Sequence, residues 1–181
     1  AKSTVVQTFD SLGDIIFAAV LNANTGNVLV ASSTGVYQLS QSGEKTILLK
    51  EESWFEHIAL STDGLILFIA CGKTLYIFLK KKNNYQLFSK DDSFTSTISD
   101  ILFNHDAFLV SNYGGIREYS SRKLNRYTLH GWKTSLLSTS WSPDKKYITA
   151  STQENAIHFW PYPFHEQKDF QISGYHSKVN K

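Results

Sequence analysis

Along this chain, short apolar runs alternate with clusters of Gly, Asn, Asp and Ser, and the alternation repeats itself. Ala31, Ala70, Ser111 and Ala150 each end an apolar run, and Val36, Leu75, Ile116 and Ile157 each open the next one a few residues later. Those four openers are 39, 41 and 41 residues apart. The first unit reads Ile15–Leu21, Val28–Ala31, Val36–Leu39 and Thr46–Leu49; the second reads Phe55–Leu60, Leu65–Ala70, Leu75–Leu79 and Tyr85–Phe88. The third reads Ile98–Phe103, Phe108–Val110, Ile116–Tyr119 and Arg126–Leu129, and the fourth Leu136–Trp141, Tyr147–Ala150, Ile157–Trp160 and Phe170–Ile172. Gly and Asn stand at the tight turns, where a positive φ is needed and a β-branched residue would be strained. No window carries the i, i+3, i+4, i+7 stripe of an amphipathic helix, whereas strand-like alternation recurs.

Runs this short, joined by brief connections, predict antiparallel meanders. One four-stranded sheet cannot bury both of its faces alone. A repeat of about 40 residues therefore predicts sheets stacked as the blades of a β-propeller. The expected fold is all-β: one propeller segment over residues 1–181, with about four blades of four antiparallel strands. Their approximate spans are 12–50, 51–92, 93–131 and 132–173, and 174–181 reads as the start of a further blade. Ser3–Phe9 is a strand candidate that precedes the first unit. A closed propeller needs a full ring, so the pattern predicts an open arc that forms part of a larger, seven-bladed propeller. The alternative is a closed four-bladed ring with Ser3–Phe9 paired onto the fourth blade.

Composition narrows the reading further. Hydrophobic content of 41%, with 14% aromatic, supplies a sizeable core and argues against disorder. A formal net charge of +2 lacks the clustered basic face of a nucleic-acid binder, so no nucleic acid is expected as a partner. The one dense cluster, Lys80-Lys81-Lys82, reads as a solvated hairpin between outer strands, with a phosphate or acidic-partner patch as the other reading. There is no apolar stretch near ~18 residues and no secretory leader, so no membrane is expected either. Cys71 is the only cysteine and reads as a small buried thiol. A reducing, intracellular location is expected, cytoplasmic rather than nuclear.

The fourth unit carries the most specific pattern. Trp141-Ser142-Pro143-Asp144-Lys145-Lys146-Tyr147-Ile148-Thr149-Ala150-Ser151, followed by Ala156-Ile157-His158-Phe159-Trp160, resembles a WD-repeat blade. In that family a Ser-Pro-Asp turn joins the first two strands and a Trp ends the third. Trp160 matches that Trp, while Pro161 replaces the Asp of the name. Glu154 and Asn155 stand where the family's turn between second and third strands has Asp and Gly. Leu39, Phe78 and Tyr119 hold the Trp slot in the other units, and Gly131-Trp132 and Gly174-Tyr175 stand where Gly-His commonly opens a repeat. The resemblance implies an incomplete Asp–His–Ser/Thr–Trp hydrogen-bond network, although alternation alone specifies the meander. It also implies that partners dock on the face formed by the connections between blades and the second-to-third-strand turns. The residues that fall there are Trp54, Phe94, Tyr113, Trp132, Lys133, Tyr175 and His176. Large aromatics dominate interface hot spots, and Trp54 and Trp132 either meet a partner or cap the central core.

Catalytic chemistry finds little footing. There is no Gly-x-Ser-x-Gly elbow, no His-Glu-x-x-His and no phosphate loop. His158 and His165 do not have zinc-ligand spacing. The adjacent acids Glu51-Glu52 and Asp91-Asp92 fall in connections between units, and would need separation by about 5–9 Å across a substrate to act as an acid/base pair. The expected function is a non-catalytic protein-interaction scaffold that assembles a multiprotein complex, with no cofactor and no metal. Its partners would be other proteins, with further blades of the same chain or another subunit completing the propeller. The alternative is a ligand- or substrate-binding propeller domain of an enzyme whose catalytic part lies elsewhere.

Overall fold

The computed structural model describes residues 7–104, 106–164 and 169–179, which are built from strands and turns with no helix among them. The first sheet is the meander β1 (Ile16–Asn22), β2 (Asn27–Ser32), β3 (Gly35–Leu39) and β4 (Lys45–Lys50). The second is β5 (Phe55–Leu60), β6 (Ile66–Cys71), β7 (Thr74–Lys81) and β8 (Asn84–Asp91). The remaining strands are β9 (Asp100–Asn104), β10 (Ala107–Ser120), β11 (Thr128–Trp141), β12 (Tyr147–Thr152), β13 (Ile157–Pro161) and β14 (Phe170–Ile172), hydrogen-bonded in that order.

Two of these strands are longer than the sequence predicts, because each contributes twice. The Ser121 N–H donates to the Asp106 carbonyl at 2.7 Å, whereas a straight strand would hold those residues about 50 Å apart at ~3.3 Å per residue. β10 therefore folds back on itself at Gly114 and Gly115, whose φ values are 98° and 131°. Its first arm pairs with β9 and its second with the first half of β11, through Gly115↔Gly131 to Glu118↔Thr128. β11 then crosses to the next sheet, where Leu136–Trp141 pairs with β12. The result is four blades of four strands. Their inner strands β1, β5, β9 and the second half of β11 pack in succession, and β11 shows no comparable packing on β1 among the described residues. The arc is open.

The pairing corrects one equivalence. Ala31↔Val36 and Ala70↔Leu75 pair across their turns, but the fourth counterpart is Ser151↔Ile157, so Ser151 and not Ala150 is equivalent to Ala31 and Ala70. The fourth turn is one residue longer, closed by the Thr152 N–H on the Ala156 carbonyl at 2.9 Å. Side chains alternate across a strand, so a one-residue offset exchanges the faces. Ala150 thus packs with Leu109, Ile116, Leu136, Ile148 and Trp160 between the third and fourth sheets, and Ser151 belongs to the opposite face.

Each sheet packs face to face on its neighbour in the row. Leu29, Ala31 and Val36 meet Phe55, Leu67 and Ile69 between the first two sheets. Phe68, Leu75 and Ile77 meet Ile101, Phe108 and Tyr119 between the next two, with Phe68 stacked on Phe108 at 3.9 Å. Burying such side chains is worth about 1.5–3 kcal/mol each. Two hydrogen bonds between buried polar groups cross the seam between the third and fourth sheets. Asp100 Oδ2 accepts the Thr139 N–H at 2.9 Å, and Ser111 Oγ donates to Thr139 Oγ1 at 3.2 Å.

The two end faces differ. Phe9 and Leu12 cover the outer face of the first sheet, packing on Val30, Tyr37 and Leu39. Thr34 Oγ1 donates to the Leu12 carbonyl at 3.1 Å and Lys45 Nζ to the Asp10 carbonyl at 3.0 Å. Of the strand candidate at 3–9, residues 3–6 lie outside the described residues, and 7–9 form no strand. The outer face of the fourth sheet stays largely open. Phe170 and Ile172 are 48% and 46% exposed, Phe159 stacks on Phe170 at 4.5 Å, and Val179 shares a small cleft with Ser151 and Ile157. Residues 174–179, expected to begin another blade, form no strand here, because no neighbouring strand pairs with them.

Candidate protein-interaction face

In a four-stranded meander, the connections between blades and the second-to-third-strand turns lie at the same end. Here they are hydrogen-bonded to one another in every sheet. The Ser33 N–H donates to the Ile15 carbonyl (2.9 Å), Ser53 to Ser33 (3.1 Å), Ile98 to Gly72 (2.8 Å) and Gln153 to Ser135 (3.1 Å). In the third sheet Ser96 Oγ also accepts the Tyr113 N–H at 2.9 Å. These bonds fix the loops of this upper face against the sheets. The single thiol belongs here too. Cys71 is half-buried, its Sγ 2.8 Å from Ser53 Oγ, instead of lying sequestered in the core.

Trp54 is 66% exposed, its indole resting 5.8 Å from the Phe17 ring, and Tyr113 is 54% exposed at the third turn. Lys133 is exposed with Nζ 6.0 Å from the Trp132 ring centre. Tyr175 and His176 are exposed in the segment after β14. Phe94 is different: it is only 3% exposed, beneath the Arg117 guanidinium at 3.7 Å, and cannot meet a partner. The same guanidinium lies 4.4 Å from the Tyr127 ring and reaches Asp91 Oδ2 at 3.2 Å. That buried cation needs an aromatic floor, and Phe94 supplies it. Trp132 also turns inward, edge-on to Trp160 at 5.5 Å and 4.0 Å from the His158 ring. It is half-buried in the seam between the third and fourth sheets, on the outer strand of its blade and away from the central core.

The paired acids are occupied by structure. Tyr76 donates to Glu51 Oε2 at 3.2 Å, and burial together with the Glu51 charge pushes the Tyr76 hydroxyl up to about 12. Burial acts to raise the Asp91 carboxyl. Ser93, the Tyr119 hydroxyl and Arg117 outweigh it and hold that carboxyl below the usual carboxylate range. Among the described residues no three of His, Cys, Asp or Glu group as a metal site.

Sequence reasoning missed a polar cluster on the side of the third and fourth blades. His130 Nε2 lies 2.8 Å from Glu118 Oε2, Tyr162 donates to Glu118 Oε1 at 2.9 Å, and Phe164 stacks on His130 at 3.5 Å. The His130 hydrogen bond, opposed by burial and reinforced by Tyr162, holds the Glu118 carboxyl low. Glu118 and His130 are cross-strand neighbours in the third sheet, and Tyr162 and Phe164 reach them from the segment after β13, so no local motif announces the cluster. Nearby, His158 is 2% exposed, with Nε2 3.0 Å from Asp169 Oδ2 but off the angle of a good hydrogen bond. His165, its partner in the spacing argument, lies outside the described residues.

No family model and no curated protein matches the chain. Solved structures do. One chain of a mitotic checkpoint complex superposes with a TM-score of 0.70 at 17% identity, covering 98% of this chain and 62% of that one. The WD40 repeats of RRP9 superpose with a TM-score of 0.69 at 15% identity, covering 91% of this chain and 53% of that one. This chain thus spans somewhat over half the length of the solved structures it matches. With an all-β architecture of stacked antiparallel sheets and WD40-repeat structures as neighbours, the fold is that of a WD40-type β-propeller, present here as four blades.

Proposed function

We propose that the chain is a protein-interaction scaffold whose upper face docks partner proteins through Trp54, Tyr113, Lys133, Tyr175 and His176. The observation that carries this is the pairing of exposed Trp54 and Tyr113 with loops tied down by backbone hydrogen bonds. A rigid loop presenting a large aromatic loses little entropy on binding, and such residues make hot spots. The open face of the fourth sheet supports a second element of the reading. On it Tyr147, Phe170 and Ile172 are 39%, 48% and 46% exposed, whereas Ala31, Ala70 and Ser111 on the corresponding faces of the other three sheets are 0–1% exposed against the next sheet. Further blades, from the same polypeptide or from another subunit, would cover the fourth in the same way.

The test compares the proteins retained by the wild-type chain with those retained by a W54A/Y113A variant. Loss of retained partners with an unchanged circular dichroism melt is expected. Retention of the same proteins by both would refute a docking role for this face.

A further inference from the structure

At the opposite, lower end, neighbouring sheets splay apart and clefts open between them. The cleft between the third and fourth sheets, about 530 Å³, sets Asp106 and Glu118 among Lys123 and Arg126, so its charges offset. The cleft between the first and second sheets, about 680 Å³, is chemically different. Lys80, Lys81 and Lys82 line it, Glu44 is its one acid, and its other lining residues are all amides and hydroxyls, with no apolar side chain.

The lysine turn is built against the neighbouring sheet. Gln38, only 7% exposed, donates from Nε2 to the Asn83 carbonyl at 3.3 Å and ties the β7–β8 turn to the first sheet. Lys82 holds φ at 56°, the left-handed region where Gly or Asn is the low-cost residue. Lys80 Nζ sits 5.9 Å from the ring of Tyr85, whose hydroxyl is fastened to the Gly64 carbonyl at 2.6 Å.

We propose that this cleft binds a phosphate monoester carried on a partner peptide. A phosphoserine or phosphothreonine brings close to two negative charges and three acceptor oxygens. The ammonium group of Lys80, on the face toward the first sheet, that of Lys82 at the turn and several amide donors complement that charge and that acceptor count. The cleft has no apolar side chain to enter a bilayer and no aromatic face on which a base could stack, which favours a peptide over a lipid surface or a nucleic acid. The site lies at the other end of the blades from Trp54 and Tyr113 and does not rest on the docking role given to them.

The experiment titrates a fluorescent phosphoserine peptide, its serine counterpart and its glutamate counterpart into the full chain, followed by anisotropy. The phosphopeptide is expected to bind at least tenfold tighter than the serine peptide, and several-fold tighter at pH 7 than at pH 5.5, as phosphate gains its second charge near pH ~6. K80Q/K82Q should lose about tenfold with an unchanged melt, while K123Q/R126Q and W54A should bind as wild type. Equal binding of the serine peptide, undiminished binding by K80Q/K82Q, or loss in K123Q/R126Q overturns the proposal. So does binding of phosphatidylserine vesicles or single-stranded RNA through these lysines without binding of the phosphopeptide.

Discussion

His158 lies between the rings of Trp132 and Trp160, at 4.0 and 4.2 Å, where water scarcely reaches. Burial lowers its pKa below the ordinary 6.5, and the Asp169 carboxylate pulls the other way without prevailing. The unfolded chain then binds a proton that the folded chain refuses, so stability falls as pH drops below about 6.5. Asp91 and Glu118, both held low, add further loss as they are protonated below pH ~4. Urea melts at pH 7.5 and 5.5 should show the first step, and H158Q, though less stable throughout, should show a smaller difference between them. The tryptophans divide by burial. Trp160→Ala should cost roughly 3–5 kcal/mol and Trp132→Ala about 2–3 kcal/mol, as large-to-small changes in packed seams do. Trp54→Ala should stay within ~0.5 kcal/mol, as exposed positions do. Equal losses at Trp54 and Trp132 would contradict the packing described. Nothing in the local sequence separates Phe94 from Trp54, since both are aromatics in blade connections. What decides is Arg117, more than twenty residues away, whose buried charge is paired with Asp91, hydrogen-bonded to Ser93 and sandwiched by Phe94 and Tyr127.

At the level of strands and turns, two glycines do what no other residue could. A Cβ at Gly35 would stand 2.2 Å from the Leu49 carbonyl oxygen, and one at Gly115 2.1 Å from that of His130. Both open the third strand of a sheet where the fourth strand's backbone closes in, at φ values of 144° and 131°. Gly115→Ala should therefore cost ~2–4 kcal/mol by denaturant titration, against ~1 kcal/mol for Gly114→Ala, where φ is positive but space is free. A reversed order would show that the backbone there yields. Strand positions are legible in the sequence because turn residues and alternating apolar residues mark them directly. Face assignment in the fourth sheet is not, since a turn one residue longer leaves the apolar run at Ala150 looking like its counterparts at Ala31 and Ala70. The upper face could be placed from the order of turns. The Glu118–His130–Tyr162 cluster could not, because it needs both the β10–β11 register and the approach of Tyr162 from the neighbouring blade.

For the molecule as a whole, the exposed outer face of the fourth sheet governs solution behaviour. Tyr147, Phe170 and Ile172 are 39%, 48% and 46% exposed on it, and contiguous apolar patches of this kind drive association. The chain should self-associate at micromolar concentration in sedimentation experiments. F170K/I172K should shift it toward monomer without lowering its melting temperature, because neither side chain is buried. A wild-type chain that sediments as a monomer at every concentration would argue against an open face.

The segment from Phe9 to Leu12 makes the row of sheets vectorial. One outer face is covered by its own chain and the other is largely exposed, so the strands of the fourth sheet have the fewest buried apolar contacts and should open first. Amide hydrogen exchange should read this as a gradient, slow in β2 and β3 beneath that segment and fastest in β13 and β14.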